Sequence, residues 1–348
     1  MTSSDVIIVG AGLTGLTLAR NVAEQGIDFL VLEGRERVGG RIHSVETQCG
    51  AVVEMGATWF FPRFNNLLKL LKKLKVELSE QFSIGHTMYE SHARMPARKI
   101  KSSEGDFFRI KGGTSRIIES LYNDIDKSIV LLGQHVSEIR YTPEGMEVIS
   151  NGRKLRSSRV VTTVPPQLLA SDVKFSPPLH QDVMDVMKNT HTWMGNSVKG
   201  AVTYKVPFWK EKGLSGALYS NPGPFAQLYD QSNENGAALA GFLNDKISRL
   251  PFEERKQKVI EQLVRVFGEE AKYCLDYRDT IWSEEHFTMH SHAPRFSRHH
   301  NNGHEVYEKQ LMDGRIVIGG SETSCQGGGY MEGAVHSANE IAMLLTIK

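Results

Sequence analysis

Cysteine is scarce in this chain. Cys49, Cys274 and Cys325 are the only three in 348 residues. An odd number at wide spacing builds no disulfide framework and predicts a reducing compartment. Neither sign of charge is in excess, since 41 basic and 40 acidic residues leave a formal net charge of +1. Such a chain has no field to draw in nucleic acid or an anionic membrane, although thirteen histidines would tilt the balance in acid. No apolar run reaches the length of a membrane span, no signal sequence precedes Asp5, and the last helix, through Met343, Leu344 and Leu345, stops at Lys348. Internal repeats and low-complexity tracts are missing too. These absences predict a soluble, cytoplasmic protein with a core large enough for two domains.

Glycine, by contrast, stands at chemically loaded positions. Val6, Ile7, Ile8 and Val9 form a short apolar run that suits a strand buried on both faces of a parallel sheet. Gly10, Gly12 and Gly15 follow with G-x-G-x-x-G spacing. The first permits a tight turn, the second lets backbone amides approach a pyrophosphate, and the third lets the next helix pack on the strand. Leu13 and Thr14 sit at that helix start, where unpaired N–H groups and a partial positive charge face an anion. A second apolar run, Phe29 to Leu32, ends in Glu33. An acid there accepts hydrogen bonds from ribose hydroxyls and repels a 2′-phosphate. This much predicts a dinucleotide and leaves FAD and NAD both open.

The next stretch separates them. Gly34-Arg35-Glu36-Arg37-Val38-Gly39-Gly40-Arg41 sets cations and two glycines directly after the second strand, and a nicotinamide site needs no second phosphate clamp. This stretch resembles the E-x-R-x-R-x-G-G-R segment of the flavin amine oxidases, the family of monoamine and polyamine oxidases. The resemblance implies bound FAD, with Arg35 by the adenosine half and Gly40 and Arg41 on the pyrophosphate.

Further blocks carry the likeness along the chain. Gly56-Ala57-Thr58-Trp59 looks like the family's turn beside the flavin ring. Gly195 to Lys199 and Pro207-Phe208-Trp209 resemble its G-x-x-x-K segment and later P-F-W. Gly314 to Thr323, with Glu322, and Gly329-Tyr330-Met331-Glu332-Gly333-Ala334 match its strand, G-x-E-T turn and G-Y-M-E-G-A helix start. By that likeness Val136 contacts adenine, Glu322 and Met331 lie at the cofactor, Lys199 reaches flavin N5 through a water, and Tyr330 is one wall of an aromatic slot for the amine. Without the resemblance, Lys199 in a strand-like pattern reads as a lysine on a solvated face.

The chain departs from the monoamine oxidases in three places. Ser291 stands where they carry the cysteine bonded to the flavin, so FAD should be held non-covalently. His292 replaces an aromatic tyrosine as the second wall of the slot. Only Lys69 to Asp106 fill the place of a long substrate region, which predicts a shallower, more open pocket.

The predicted fold is α/β: a Rossmann-like FAD-binding domain (1–66, 107–166 and 312–348) with a discontinuous, smaller α+β substrate domain (67–106 and 167–311). Pro165-Pro166 marks one crossing, and helices are expected over Asn65 to Leu74 and Phe252 to Phe267. His286, His290, His292, His299, His300 and His304 match no zinc spacing and read as solvated loop histidines, so no metal is expected. The predicted reaction is oxidation of an amine C–N bond to an imine by hydride transfer to flavin N5, with O2 as acceptor and H2O2 as product. The alternatives are a flavoprotein of the same fold acting on C–C bonds, as desaturases and protoporphyrinogen oxidase do, or one without amine turnover.

Overall fold

The computed structural model describes residues 3–102, 107–290 and 296–346. Its first sheet has eight strands. β1 (Ser3–Val9) lies at the centre, parallel to Arg153–Thr162 on one side and to β2 (Phe29–Leu32) on the other. Val130–Leu131 extends the sheet beyond β2. Gly145–Ser150, Val136–Thr142 and Lys174–Ser176 extend it beyond Arg153–Thr162, and Ile316–Ile318 pairs with the end of that same strand. The apolar run in β1 is buried on both faces. Val6 and Ile8 pack toward helix α1 (Leu13–Glu24) and the C-terminal helix Met331–Thr346. Ile7 and Val9 pack toward Phe175, Val183 and Met187. The stretch 166–188 therefore lies against the sheet that carries the glycine-rich turn.

A second sheet of seven strands runs in the order Asp276–Ile281, Val198–Tyr204, Ala237–Leu243, Phe225–Asp230, Leu214–Ser220, His86–Glu90 and Arg98–Lys101. Helix Phe252–Phe267 has the expected bounds and lays Val259, Leu263 and Val266 on one face of this sheet. The helix expected over Asn65 to Leu74 spans Asn65–Lys73 and buries Leu67, Leu70 and Leu71. Its N-terminus is satisfied from far along the chain. The Glu332 carboxylate accepts from the amides of Asn66 at 3.0 Å and Leu67 at 2.8 Å, an anion placed at the positive end of a helix.

The two sheets meet through small apolar side chains: Ala51, Val53 and Met55 pack on Ala201, Ala238 and Ala240. Every residue of Val198–Tyr204 is buried as a result. Side chains alternate along a strand, so Val198 and Val202 face the helix while Lys199 and Ala201 face the 51–58 segment. The solvated-face reading of Lys199 fails because both faces of its strand are covered. The stretch Lys69 to Asp106 holds, beyond its helix, mainly the strands Leu78–Glu80, His86–Glu90 and Arg98–Lys101. Among the described residues no helix is long and apolar enough to cross a membrane.

Candidate active site

The glycine-rich turn divides its work among its three glycines. Gly10 has φ +106°, a conformation other residues rarely adopt, and a Cβ there would meet Thr163 Oγ1 at 2.7 Å. A Cβ on Gly15 would lie 1.9 Å from the Gly10 carbonyl oxygen, so this glycine allows α1 to close on the turn. Gly12 is different. Its φ of −76° suits any residue, and the nearest atom to an added Cβ is Gly40 Cα at 4.0 Å. Nothing in the protein requires Gly12 to be glycine; the space it leaves opens into a cavity.

That cavity is lined by Gly10, Gly12, Leu13, Thr14, Glu33, Arg35, Gly40, Arg41, Ala57, Val136, Tyr330 and Met331, all predicted site residues. No side chain caps α1, which leaves its first amides for a ligand. Gly40, at φ +56°, sits against Gly12, and Gly39 donates to the Ala11 carbonyl at 2.8 Å. The buried Glu33 carboxylate is fixed by the amides of Ala11 at 2.8 Å and Arg35 at 2.9 Å. Its remaining lone pairs can accept from ribose hydroxyls. The Arg35 guanidinium bonds Thr288 Oγ1 at 2.8 Å and Glu285 at 3.3 Å, and it clasps the 285–288 segment.

Four predicted contacts stand behind the cavity wall. Gly15 does so because it packs the helix. A Cβ on Gly56 would meet the Arg41 carbonyl oxygen at 2.1 Å, so Gly56 makes room for backbone and not for a ligand. Thr58 donates to the Gly56 carbonyl at 3.1 Å. Glu322 is fully buried in a two-pronged pair with Arg41, whose Nη2 reaches Oε2 at 2.8 Å. Burial pushes the Glu322 pKa up, yet the guanidinium and hydrogen bonds from Arg41 and Ser321 outweigh it and hold the carboxyl below its ordinary value. Arg41 also donates to the Trp193 carbonyl at 2.8 Å and to Ser321 at 2.9 Å. Glu322 thus aims Arg41 at the cavity.

Lys199 is completely buried. Its Nζ donates to Thr58 Oγ1 at 2.9 Å and lies 4.4 Å from the centre of the Trp59 ring and 4.5 Å from that of Phe242. Burial pushes its pKa down to about 7 against the raising influence of Glu54. Glu54 is itself buried, and burial lifts its pKa although it accepts hydrogen bonds from the Thr114 amide and Ser44. The lysine thus reaches the wall next to Ala57 through Thr58.

His292 and Ser291 lie outside the described residues. Among the described residues Tyr330 packs against Phe64, 5.7 Å between ring centres, and against two further rings that the sequence left aside. His299 lies 4.9 Å from it between ring centres, with Nε2 3.2 Å from the Tyr330 hydroxyl. Trp193 stacks on His299 at 4.8 Å and lies 5.6 Å from Tyr330. His299 is half-buried, which corrects the expectation of a solvated histidine. Its place among six histidines hid it, and Trp193 falls in a stretch with no periodicity.

The chain matches the profile of flavin containing amine oxidoreductases over residues 13–95 and 83–346. It is 24% identical to putrescine oxidase of Kocuria rosea across 95% of this chain and 92% of that one. It is 25% identical to amine oxidase [flavin-containing] B of Sus scrofa across 97% and 85%. Among solved structures, wild-type putrescine oxidase bound to putrescine superposes with a TM-score of 0.85 at 21% identity, covering both chains completely. Cyclohexylamine oxidase from Brevibacterium oxydans IH-35A gives 0.85 at 19% identity over 99% of each.

Proposed function

This chain belongs to the family of flavin containing amine oxidoreductases, and from that premise we propose that it oxidises an amine to an imine with non-covalently held FAD and dioxygen as acceptor. When bound, FAD supplies two-electron chemistry, accepting a hydride equivalent from the carbon next to nitrogen and passing the electrons to O2 to yield H2O2. Water then hydrolyses the imine. The same-fold alternative acting on C–C bonds loses its ground with the family match.

The cavity fits the cofactor on the strength of Gly12, whose missing side chain serves no packing purpose in the protein. Glu33 would take the ribose, with Arg35 and Val136 around the adenosine. Leu13 and Thr14 amides, Gly40 and Arg41 would hold the pyrophosphate. Met331 starts the C-terminal helix and lines the cavity, so that helix's positive end favours negative charge developing nearby. Ser291 offers no thiol for a covalent link. We take 1–66, 107–166 and 312–348 as the flavin-binding region, to which 166–188 belongs as well through the strand Lys174–Ser176 and its packing on Ile7 and Val9, and 67–106 and 189–311 as the substrate region. The three cysteines, all free, suit a cytoplasmic setting.

Tyr330, with His299 and Trp193 packed on it, would form a rigid aromatic wall that orients the amine and keeps water from its nitrogen. Lys199 would place a positive charge where dioxygen is reduced. A buried cation with, among the described residues, no carboxylate in hydrogen-bonding contact, held by a hydroxyl beside the cavity, is the observation that carries this reading. The experiment is an absorption spectrum of the purified protein, taken anaerobically before and after adding mono- and polyamines. Bleaching of a flavin spectrum by an amine is expected. A flavin that stays oxidised with every amine overturns the reading.

A further inference from the structure

His135, Asp172 and His286 come from three separated places: the loop before Val136–Thr142, the last residue of helix Pro166–Asp172, and the segment after Trp282–Glu284. One ligand atom from each lies within 4.8 Å of the other two. Among the described residues, none of these three side chains forms a hydrogen bond or an ion pair, with one another or with a fourth residue. Two imidazoles and a carboxylate that converge without bonding define a gap suited to a cation. Zinc binds nitrogen and oxygen ligands at about 2.0–2.2 Å. Tetrahedral geometry then sets ligand atoms roughly 3.3–3.6 Å apart, so atoms within 4.8 Å of one another need draw together by at most about 1.5 Å. Two nitrogens and one oxygen favour a borderline divalent ion over calcium or magnesium, which prefer oxygen. Three protein ligands also leave a fourth position for water.

The site's position gives it a consequence. His135 and Asp172 line the wide cavity beside Val136, the residue expected at adenine, and Phe287 and Thr288 line it from the facing segment. That segment is held from within by Arg35, through Thr288 Oγ1 and Glu285, and Phe287 packs on Gly34, where an added Cβ would meet its ring at 2.6 Å. On the outer side, among the described residues, its rings meet the loop that leads into Val136–Thr142: His286 and Phe287 lie 5.9 and 5.6 Å from His135.

We propose that His135, Asp172 and His286 form a Zn²⁺-class divalent-metal site at the adenosine end of the cavity, and that metal binding latches the 285–288 segment across it and slows escape of the cofactor. The metal-binding half stands on the three side chains alone; the latching half rests on the flavin reading above. No atom is oxidised or reduced, and the ion acts only as a staple.

The test titrates ZnCl2 into the metal-stripped holoenzyme in a calorimeter, for the native protein and for His135→Gln, Asp172→Asn and His286→Gln. In parallel, the fluorescence rise of released flavin is timed with Zn²⁺ and with EDTA. One zinc per chain is expected, with affinity at least tenfold weaker in each variant, and flavin release several-fold slower with zinc in the native protein only. All three residues are partly or fully exposed, and a melting curve for each variant checks that it folds. Equal zinc affinity in the native protein and all three variants overturns the site. Variant-sensitive zinc binding with identical release rates in zinc and EDTA overturns the latch. A protein that carries no flavin fails the flavin reading and still leaves the zinc titration decisive for the site.

Discussion

Lys199 Nζ donates to Thr58 Oγ1 at 2.9 Å, and through that hydroxyl a completely buried ammonium reaches the wall that Ala57 presents to the cavity. A cation there has lost its hydration and gained two aromatic faces and one oxygen. Burial of this kind is unfavourable for the fold; it fits a charge kept for chemistry, where a low local dielectric magnifies its effect.

Lys199→Met should therefore slow reoxidation of the reduced protein by O2 by about 100-fold, the scale of losing one preorganised electrostatic group. Reduction by a responding amine should change by less than about threefold. Stopped-flow mixing of pre-reduced protein with oxygenated buffer measures the first, and anaerobic mixing with amine the second. Unchanged reoxidation removes Lys199 from the mechanism.

The two half-reactions should respond to pH in opposite directions. A protonated amine is a poor hydride donor, so reduction should speed up as pH rises through the pKa of the bound amine. Lys199, its pKa pushed down to about 7, is charged below that value and neutral above it. Reoxidation should accordingly fall as pH rises through about 7. The negative charge of Glu54 supports the lysine's proton, so Glu54→Gln should move that fall to lower pH. A move to higher pH, or none, would show that Glu54 does not control the lysine's charge.

The elements most readable in the sequence were those set by local pattern. Phe29–Leu32 and Phe252–Phe267 have the bounds that the apolar run and the helical periodicity suggest. Pairings across long separations were not readable. Arg41 meets Glu322, Tyr330 meets His299 and Trp193, and Glu332 caps the helix at Asn66 and Leu67. Each joins segments brought together by the sheet topology, which no local spacing encodes. Lys199 shows the same limit from the other side: one strand with alternating faces looks half-solvated until the 51–58 segment covers it.

Tyr330 is held by His299 and Trp193, and the wall they form should weaken in steps. His299→Ala removes a tilted ring 4.9 Å from that of Tyr330 and the 3.2 Å contact to the tyrosine hydroxyl. An aromatic contact is worth about 0.5–1.5 kcal/mol, or roughly two- to tenfold. His299→Ala should raise the amine KM by that factor with flavin content unchanged, and Tyr330→Leu should raise it further. Steady-state kinetics on both variants checks the order, and a His299→Ala protein with native KM assigns the wall to Tyr330 alone.

Gly12 and Gly15 stand three residues apart and should fail for different reasons when each is replaced by alanine. At Gly15 the new methyl would lie 1.9 Å from the Gly10 carbonyl oxygen. Backbone must move to admit it, so the fold should lose about 1–3 kcal/mol, as overpacked positions do, and the melting temperature should drop with or without flavin. At Gly12 the methyl meets no protein atom closer than 4.0 Å, and φ of −76° is ordinary for alanine. The flavin-free Gly12→Ala protein should therefore melt within a degree or two of the native apoprotein, while its flavin content, read from the ratio of absorbance at the flavin band to that of the protein, falls at least tenfold. The contrast follows from what each glycine faces, protein in one case and cavity in the other. If Gly12→Ala retains full flavin, the pyrophosphate does not run past Gly12 and the placement of the cofactor in this cavity is wrong.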